Sequence, residues 1–209
     1  MTGVMWTYAA TGARLVMQLG LTAILARLLG PEPFGIVGMA LTVVGIVGLV
    51  VDQGLTSAMI QRPELTARQV QTAFTRLLVV SVLAASICAI GAPAIARFFR
   101  EPGLVLPMAV LSLAFIPAAL SSVSIALLRR QLRIRALQVV NVAAYAAGYG
   151  LLALPMALLG FGLWSLVTAS LVHLTLMAIV YYALTRHHVG LARGGTGGLS
   201  RFGTRAAAA

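Results

Sequence analysis

Lysine is absent from the sequence, and only four of its 209 residues are acidic. Charged residues of both signs make up 9% of the chain, while hydrophobic residues make up 60% and the mean hydropathy is +1.00. A soluble domain carries about a quarter charged residues, and a soluble body of this length could not cover its surface with so few. The shortage of charge therefore excludes a soluble protein and predicts one that is embedded in a membrane.

Cysteine is nearly absent as well. The single residue, Cys88, lies inside an apolar run, so the chain can form neither an intramolecular disulfide nor a cysteine-based zinc site. The few carboxylates leave little for acid–base catalysis, and the sequence shows no phosphate-cradling glycine loop, metal-ligand cluster or nucleophile–base pair. We therefore expect no enzyme activity, no metal and no cofactor. Because the first six residues lack a basic region, we also expect no cleavable signal peptide.

Arginine accounts for all 15 of the strongly basic residues and gives a formal net charge of +11. A charge of this size can indicate a nucleic-acid partner. Here the arginines stand mostly between apolar runs, where they are better explained as topology signals and as contacts to anionic lipids. We therefore expect anionic lipids, and no nucleic acid, among the partners.

Six apolar runs are long enough to cross a bilayer, for which a helix needs about 20 residues. Short breaks rich in proline, glycine and charge separate them, and such residues belong at the membrane surface. We predict an all-α integral membrane protein, a bundle of about six transmembrane helices within residues 1–185, followed by a basic, glycine-rich cytoplasmic tail at 186–209. The predicted spans are residues 3–29, 34–60, 72–96, 104–128, 136–159 and 161–185.

The arginines at the ends of the spans and outside them predict the orientation. If the N-terminus is cytoplasmic, ten of them lie on the inner side and only three, Arg27, Arg97 and Arg100, lie on the outer side. Because inner loops of membrane proteins carry the excess of positive charge, this asymmetry favours a cytoplasmic N-terminus and a cytoplasmic C-terminus. An even number of spans agrees with that orientation.

Three charged residues stand inside the first three spans. Counted from the cytoplasmic end of each span at about 1.5 Å per residue, Arg14 lies deepest, Asp52 next and Arg76 nearest the membrane surface. Because charge within a span usually faces protein or water, we predict a charged cluster that binds substrate, with Asp52 also a candidate for proton coupling. The alternatives are a structural ion pair, or an Arg76 side chain that reaches the membrane surface.

The fifth span carries a second polar pattern. Asn141, Tyr145 and Tyr149 follow one another at every fourth residue, with Gly148 beside them. This face is a candidate substrate-binding surface, although small and hydrogen-bonding residues also hold membrane helices together. In the sixth span, His173 is a candidate proton carrier or a packing residue.

The fourth break contains the densest run of charge, with Arg129, Arg130, Arg133 and Arg135 within seven residues. At the inner surface these side chains would attract the phosphates of anionic lipids, or would simply anchor the topology. Pro117 and Pro155 interrupt the fourth and fifth spans, where each permits either a hinge or a static bend.

Short motifs at the predicted loops carry a family resemblance. They are residues 26–35 (ARLLGPEPFG), 52–55 (DQGL) with 59–62 (MIQR), 65–66 (LT) with 72–74 (TAF), 96–99 (ARFF) with 101–102 (EP), 127–132 (LLRRQL) and 160–165 (GFGLWS). In this order, across about residues 6–185, they resemble bacterial polysaccharide flippases of the lipopolysaccharide-exporter type. That resemblance places the chain in the multidrug/oligosaccharidyl-lipid/polysaccharide exporter superfamily.

The resemblance implies a fold and a function. Such proteins pair two six-helix lobes of MATE-like design around a central cavity and work by alternating access. The implied cargo is an undecaprenyl-pyrophosphate-linked oligosaccharide, moved across the bacterial cytoplasmic membrane, and a cationic cavity suits its pyrophosphate. Because the sequence corresponds to one lobe, we expect transport to require a second lobe or a homodimer.

Two other functions are compatible with the sequence. The chain could be a non-transporting scaffold of the polysaccharide assembly machinery. A multi-pass glycan transferase or polymerase is a weaker interpretation, because such enzymes carry catalytic carboxylates on large outer loops and the outer loops here are only a few residues long.

Overall fold

The computed structural model describes residues 2–52 and 67–185, and in this part of the chain the secondary structure is helical with no strand. Six helices follow one another, and we number them α1 to α6 in chain order. They are α1 (Thr2–Leu29), α2 (Pro31–Asp52), α3 (Ala67–Phe99), α4 (Pro102–Arg130), α5 (Ile134–Leu158) and α6 (Leu163–Thr185).

The predicted all-α membrane bundle is confirmed. Among the described residues, the five helices from α2 to α6 are long and apolar enough to cross a membrane, and α1 adds a shorter apolar stretch, Leu15–Leu29. The helices begin and end within five residues of the predicted spans wherever both are described. Residues 53–60 of the predicted second span and the predicted tail at 186–209 lie outside the described residues.

The short breaks between helices depend on residues with a left-handed backbone. Gly30 (φ +76°) ends α1, and Gly160 (φ +83°) follows α5. Arg100 and Leu132 adopt the same conformation after α3 and α4, with φ of +57° and +54°. In this geometry the amide of the next residue can bond back to the helix, as the Arg133 N–H does to the Leu128 carbonyl at 3.0 Å.

Proline explains where α4 and α5 depart from regular α-helix. The ring of a proline clashes with the carbonyl four residues earlier and leaves that carbonyl without its usual donor. For Pro107 and Pro117 of α4, that carbonyl lies in a short 3-10 segment, Pro102–Leu104 and Ser112–Ala114 respectively. For Pro155 of α5 it lies in a π-helical segment, Ala146–Ala153. The helices therefore cross these sites by changing their winding.

Helices α4 and α6 form the centre of the bundle. α6 packs against α4 and α5, α3 packs against α4, and α1 packs against α2 and α5. The largest apolar core runs between them and includes Leu25, Ala40, Met108 and Val167, each at most 1% exposed. By contrast, only 17% of the apolar window of α2 is buried, against 44% for α4. Of the five described helices that are apolar enough to span a membrane, α2 therefore has the smallest share of buried residues.

Leu132 provides a test of the left-handed helix end. Its side chain is 83% exposed and its φ is +54°, a conformation that costs a non-glycine residue about 1–2 kcal/mol. We expect Leu132→Gly to raise the thermal unfolding midpoint of the purified protein in detergent. As the control, Leu151→Gly removes a leucine that is 79% exposed inside α5 and should lower the midpoint. Equal losses for both variants would show that the backbone conformation at Leu132 stores no strain.

Candidate functional site

The predicted polar face of α5 lies directly against α6. The rings of Tyr145 and Tyr149 stack at a centroid distance of 4.5 Å with an angle of 18° between their planes. His173 of α6 turns the edge of its ring to both, at 5.6 Å from Tyr145 and 6.2 Å from Tyr149. The spacing of four residues on α5 thus builds a short aromatic column with an imidazole at its side.

Polar contacts close this column at both ends. The hydroxyls of Tyr149 and Ser170 lie 2.9 Å apart, and the Ser170 hydroxyl also donates to the Leu166 carbonyl at 2.9 Å. At the other end, the Asn141 amide donates to the sulfur of Met177 at 3.5 Å. We call the six side chains the polar seam: Asn141, Tyr145 and Tyr149 on α5, and Ser170, His173 and Met177 on α6.

Gly148 sets the distance between the two helices at the seam. A Cβ atom at this position would lie 2.8 Å from the Ala169 carbonyl oxygen and 3.2 Å from the Cβ of His173. Both neighbours are backbone or backbone-proximal atoms, which cannot turn aside as the end of a long side chain can. Gly148 also lies within the π-helical segment, so the change of winding and the closest approach occur at the same place.

These contacts bear on the two interpretations of the α5 face. Tyr145, Ser170 and Met177 of the seam are buried, and the other three seam residues are half-buried. This is the pattern of helix–helix packing in membranes. Within the described bundle the seam holds α5 to α6. Substrate binding by Asn141, Tyr145 and Tyr149, and proton coupling by His173, stay predictions.

The predicted charged cluster is only partly described. Arg14 lies near the middle of α1, but its side chain is outside the described part of the chain. Asp52 is the last residue of α2 and is half-buried. Arg76 is exposed on α3, whose buried residues Ala73 and Leu77 face α4 instead. Arg76 therefore faces the surroundings of the six-helix bundle and not its interior, and the cluster stays a prediction.

The four arginines of the fourth break lie around the turn from α4 to α5. Arg129 and Arg130 are in the last turn of α4, and Arg135 is in the first turn of α5. Arg129, Arg133 and Arg135 are exposed and Arg130 is half-buried. Beside this turn lies a groove of about 340 Å³ between the ends of α4, α5 and α6.

Of the α6 half of the seam, the sequence singled out His173, whereas Ser170 and Met177 were missed. Ser170 and Met177 stand three residues before and four residues after His173, and Tyr181 follows four residues later. The buried Tyr181 continues the line, because its hydroxyl donates to the Leu137 carbonyl of α5 at 2.9 Å. This spacing of three and four residues is the available signal, since it marks one face of a helix.

Comparison with known proteins points to polysaccharide biosynthesis. The model of the family described as "Polysaccharide biosynthesis protein" matches residues 24–209. The succinoglycan biosynthesis transport protein ExoT of Rhizobium meliloti (strain 1021) is 30% identical over 183 residues, which are 87% of this chain and 37% of that protein. The teichuronic acid biosynthesis protein TuaB of Bacillus subtilis (strain 168) is 26% identical over 186 residues, 89% of this chain and 38% of that protein.

The chain thus spans less than two fifths of the length of these curated relatives. No solved structure matches it significantly. In the part of the chain that the structure describes, there is no group of three or more histidine, cysteine or carboxylate side chains that could hold a metal ion.

The close approach at Gly148 generates a prediction about stability. Gly148→Ala should lower the thermal unfolding midpoint, with a cost of about 1–3 kcal/mol, because the added methyl group must push α5 away from α6. Gly150→Ala is the matched control, since its Cβ would meet only the Leu21 Cδ1, at an ordinary 3.8 Å. That variant should be neutral or slightly stabilising. If the two variants unfold at the same temperature, Gly148 does not set the helix spacing.

Proposed function

The chain belongs to the polysaccharide biosynthesis protein family, and from this we propose that it is one six-helix unit of a lipid-linked oligosaccharide flippase. The cargo is an undecaprenyl-pyrophosphate-linked oligosaccharide, which crosses the bacterial cytoplasmic membrane from the inner to the outer leaflet by alternating access. The observation that carries the proposal is the 30% identity over 183 residues to a protein named for polysaccharide transport, in a chain that forms a membrane bundle of helices.

The negative charge of this cargo must be compensated while the cargo crosses the membrane. A pyrophosphate must leave water and pass through a region of low dielectric constant, where isolated charge is costly. Arginine meets this demand best, because its guanidinium stays protonated and can bind two phosphate oxygens at once. Arg14 in α1 is the candidate for the first contact, and Arg76, exposed on α3, is the second candidate. Asp52 would hold one arginine in place and limit the net positive charge of the path.

A second six-helix unit completes the path in this proposal. Three observations support it: the chain covers 37% and 38% of its relatives, α2 is the least buried of the five spanning helices, and its residues Ile46, Leu49 and Val50 are 58–78% exposed. Sites of secondary transporters form between such units. A second copy of this chain can supply the missing unit, and the cavity then lies between the two copies.

The proposed orientation has both ends in the cytoplasm. It rests on the ten inner and three outer arginines of the sequence. In this orientation the turn between α4 and α5 faces the cytoplasm, and the turn between α3 and α4 faces outward.

Cysteine labelling tests the orientation. In a Cys88→Ala background, Leu132→Cys should react with a membrane-impermeant maleimide only after the cells are opened, because residue 132 lies in the inner turn. Residue 102 is exposed at the start of α4. Pro102→Cys should therefore react in cells whose cytoplasmic membrane is intact, once the layers outside that membrane are made permeable. Reversed labelling of the two sites would mean that both ends of the chain lie outside.

Substitution of Arg14 tests the transport role. In cells that depend on this protein for polysaccharide export, Arg14→Leu should reduce the exported polysaccharide at least about tenfold, since one charge-assisted contact contributes about 1.5–3 kcal/mol. The lipid-linked precursor should accumulate in the inner leaflet at the same time. Arg14→Lys keeps the charge and should retain part of the transport.

The amount of protein in the membrane fraction controls for insertion. Normal export by Arg14→Leu would remove Arg14 from the substrate path. Loss of precursor synthesis, without precursor accumulation, after deletion of the whole chain would instead identify a scaffold of the assembly machinery.

A further inference from the structure

The groove beside the turn from α4 to α5 combines charged, polar and apolar walls. It has a volume of about 340 Å³ and lies between the last turns of α4, the first turns of α5 and the last third of α6. Its lining includes the charged or polar residues Arg129, Gln138 and Asn141 and the apolar residues Ile125, Leu137 and Met177. A volume of this size is in the range of small-ligand sites in proteins, and the mixed lining suits a ligand that is itself amphipathic.

The surroundings of the groove carry an excess of positive charge. Arg129 lines the groove, and three further arginines follow within six residues. The sequence contains no Asp or Glu after Glu101, so none of the three helices that form the groove supplies a carboxylate. On the predicted inner side, Asp52 and Glu64 stand against ten arginines. The groove thus offers its ligand a positive electrostatic potential that favours an anion.

Asn141 contributes a carbonyl oxygen that lacks a hydrogen-bond donor. Its Oδ1 atom is buried, and no residue in the described part of the chain donates a hydrogen bond to it. Its Nδ2 is engaged with the sulfur of Met177 at 3.5 Å. A buried carbonyl oxygen without a donor is unfavourable. Because this atom has almost no accessible surface, the Asn141 side chain must turn Oδ1 toward the groove before a ligand hydroxyl can donate to it, and a plain phosphate does not offer that hydroxyl.

The position of the groove selects a membrane lipid over a soluble anion. The groove lies at the ends of three helices that are apolar enough to cross the membrane. Leu132 and Ile134, exposed by 83% and 37%, flank the same turn and would lie at the level of the lipid headgroups. A lipid can place its phosphate at Arg129 and its upper chain against Ile125 and Met177, whereas a soluble phosphate leaves the apolar wall without a contact.

We propose that this groove is a binding site for one anionic phospholipid with a hydroxyl-bearing headgroup, for which phosphatidylglycerol has the matching chemistry. The phosphate binds at Arg129 and a glycerol hydroxyl donates to Asn141 Oδ1. This site uses none of Arg14, Asp52 and Arg76, which form the path proposed above, gives Asn141 a lipid contact in place of a substrate contact, and does not depend on transport. It also differs from the general attraction of a basic loop to anionic lipids, because it predicts one lipid per chain and a preference among anionic headgroups.

Lipid binding to the purified full chain tests the site. Native mass spectrometry in detergent would follow titrations with phosphatidylglycerol, phosphatidic acid and phosphatidylethanolamine of identical acyl chains. We expect one phosphatidylglycerol to bind with at least tenfold preference over phosphatidic acid, which is anionic but lacks the glycerol hydroxyls. Equal binding of the two anionic lipids, or equal binding of glycerol phosphate without acyl chains, would overturn the proposal.

Two arginine variants separate the site from diffuse attraction. Arg129→Gln and Arg133→Gln remove the same charge from the same turn, but only Arg129 lines the groove. Arg129→Gln should weaken phosphatidylglycerol binding at least tenfold. Arg133→Gln should weaken all anionic lipids alike and by no more than about fivefold. Equal losses for both variants would contradict a defined site.

Asn141→Leu tests the headgroup contact. This variant should bring the affinity for phosphatidylglycerol down to that for phosphatidic acid, while the affinity for phosphatidic acid stays within about threefold. Thermal unfolding of each variant controls for folding. If Asn141→Leu does not fold, the unaltered chain still tests the proposal. The proposal is wrong if that chain does not prefer phosphatidylglycerol to phosphatidic acid.

Discussion

The absence of water from the bilayer core is the constraint on which this structure depends. Every backbone polar group at that depth needs a partner within the protein, and the chain meets the requirement with long helices and short turns. Hydroxyl side chains follow the same rule: Ser121, Ser124 and Ser170 each donate to the carbonyl four residues earlier. The irregular segments of α4 and α5 occur where a proline removes a donor, so the winding changes while the helix stays continuous.

The same constraint explains why α5 and α6 associate through polar contacts at the polar seam. Lipid tails are as apolar as leucine, so membrane helices gain little from burying apolar side chains against each other and instead associate through close packing and polar contacts. Gly148 allows a close approach of α5 to the Ala169 carbonyl of α6, and the next residue on each helix, Tyr149 and Ser170, makes the hydroxyl contact. α6 is thereby held between α4 and α5 as the centre of the bundle, while α1 and α2 lie at its edge. A cavity shared with a second unit would form at that edge.

Composition and span length were sufficient to predict the helices, because hydrophobic length is a local property of the sequence. The side chains on α5 that form half of the seam were also found, since their spacing marks one face. Of their partners on α6, only His173 was named, because the match between Tyr149 and Ser170 depends on how two helices dock. For Arg76, counting residues gave a depth but not a direction, and the structure places it on the exposed side of α3. The π-helical segment was not predicted either, since Pro155 permitted a hinge or a bend without showing which winding the helix adopts.

The central claim is that lipid-linked oligosaccharide crosses the membrane between two six-helix units. Translocation in single vesicles, with the copies of the fluorescently labelled chain counted in each by stepwise photobleaching, tests it most directly. The account predicts that vesicles with one copy do not move the lipid-linked oligosaccharide and that vesicles with two or more copies do. Transport at the same rate from single copies, or no transport at any copy number, would contradict it.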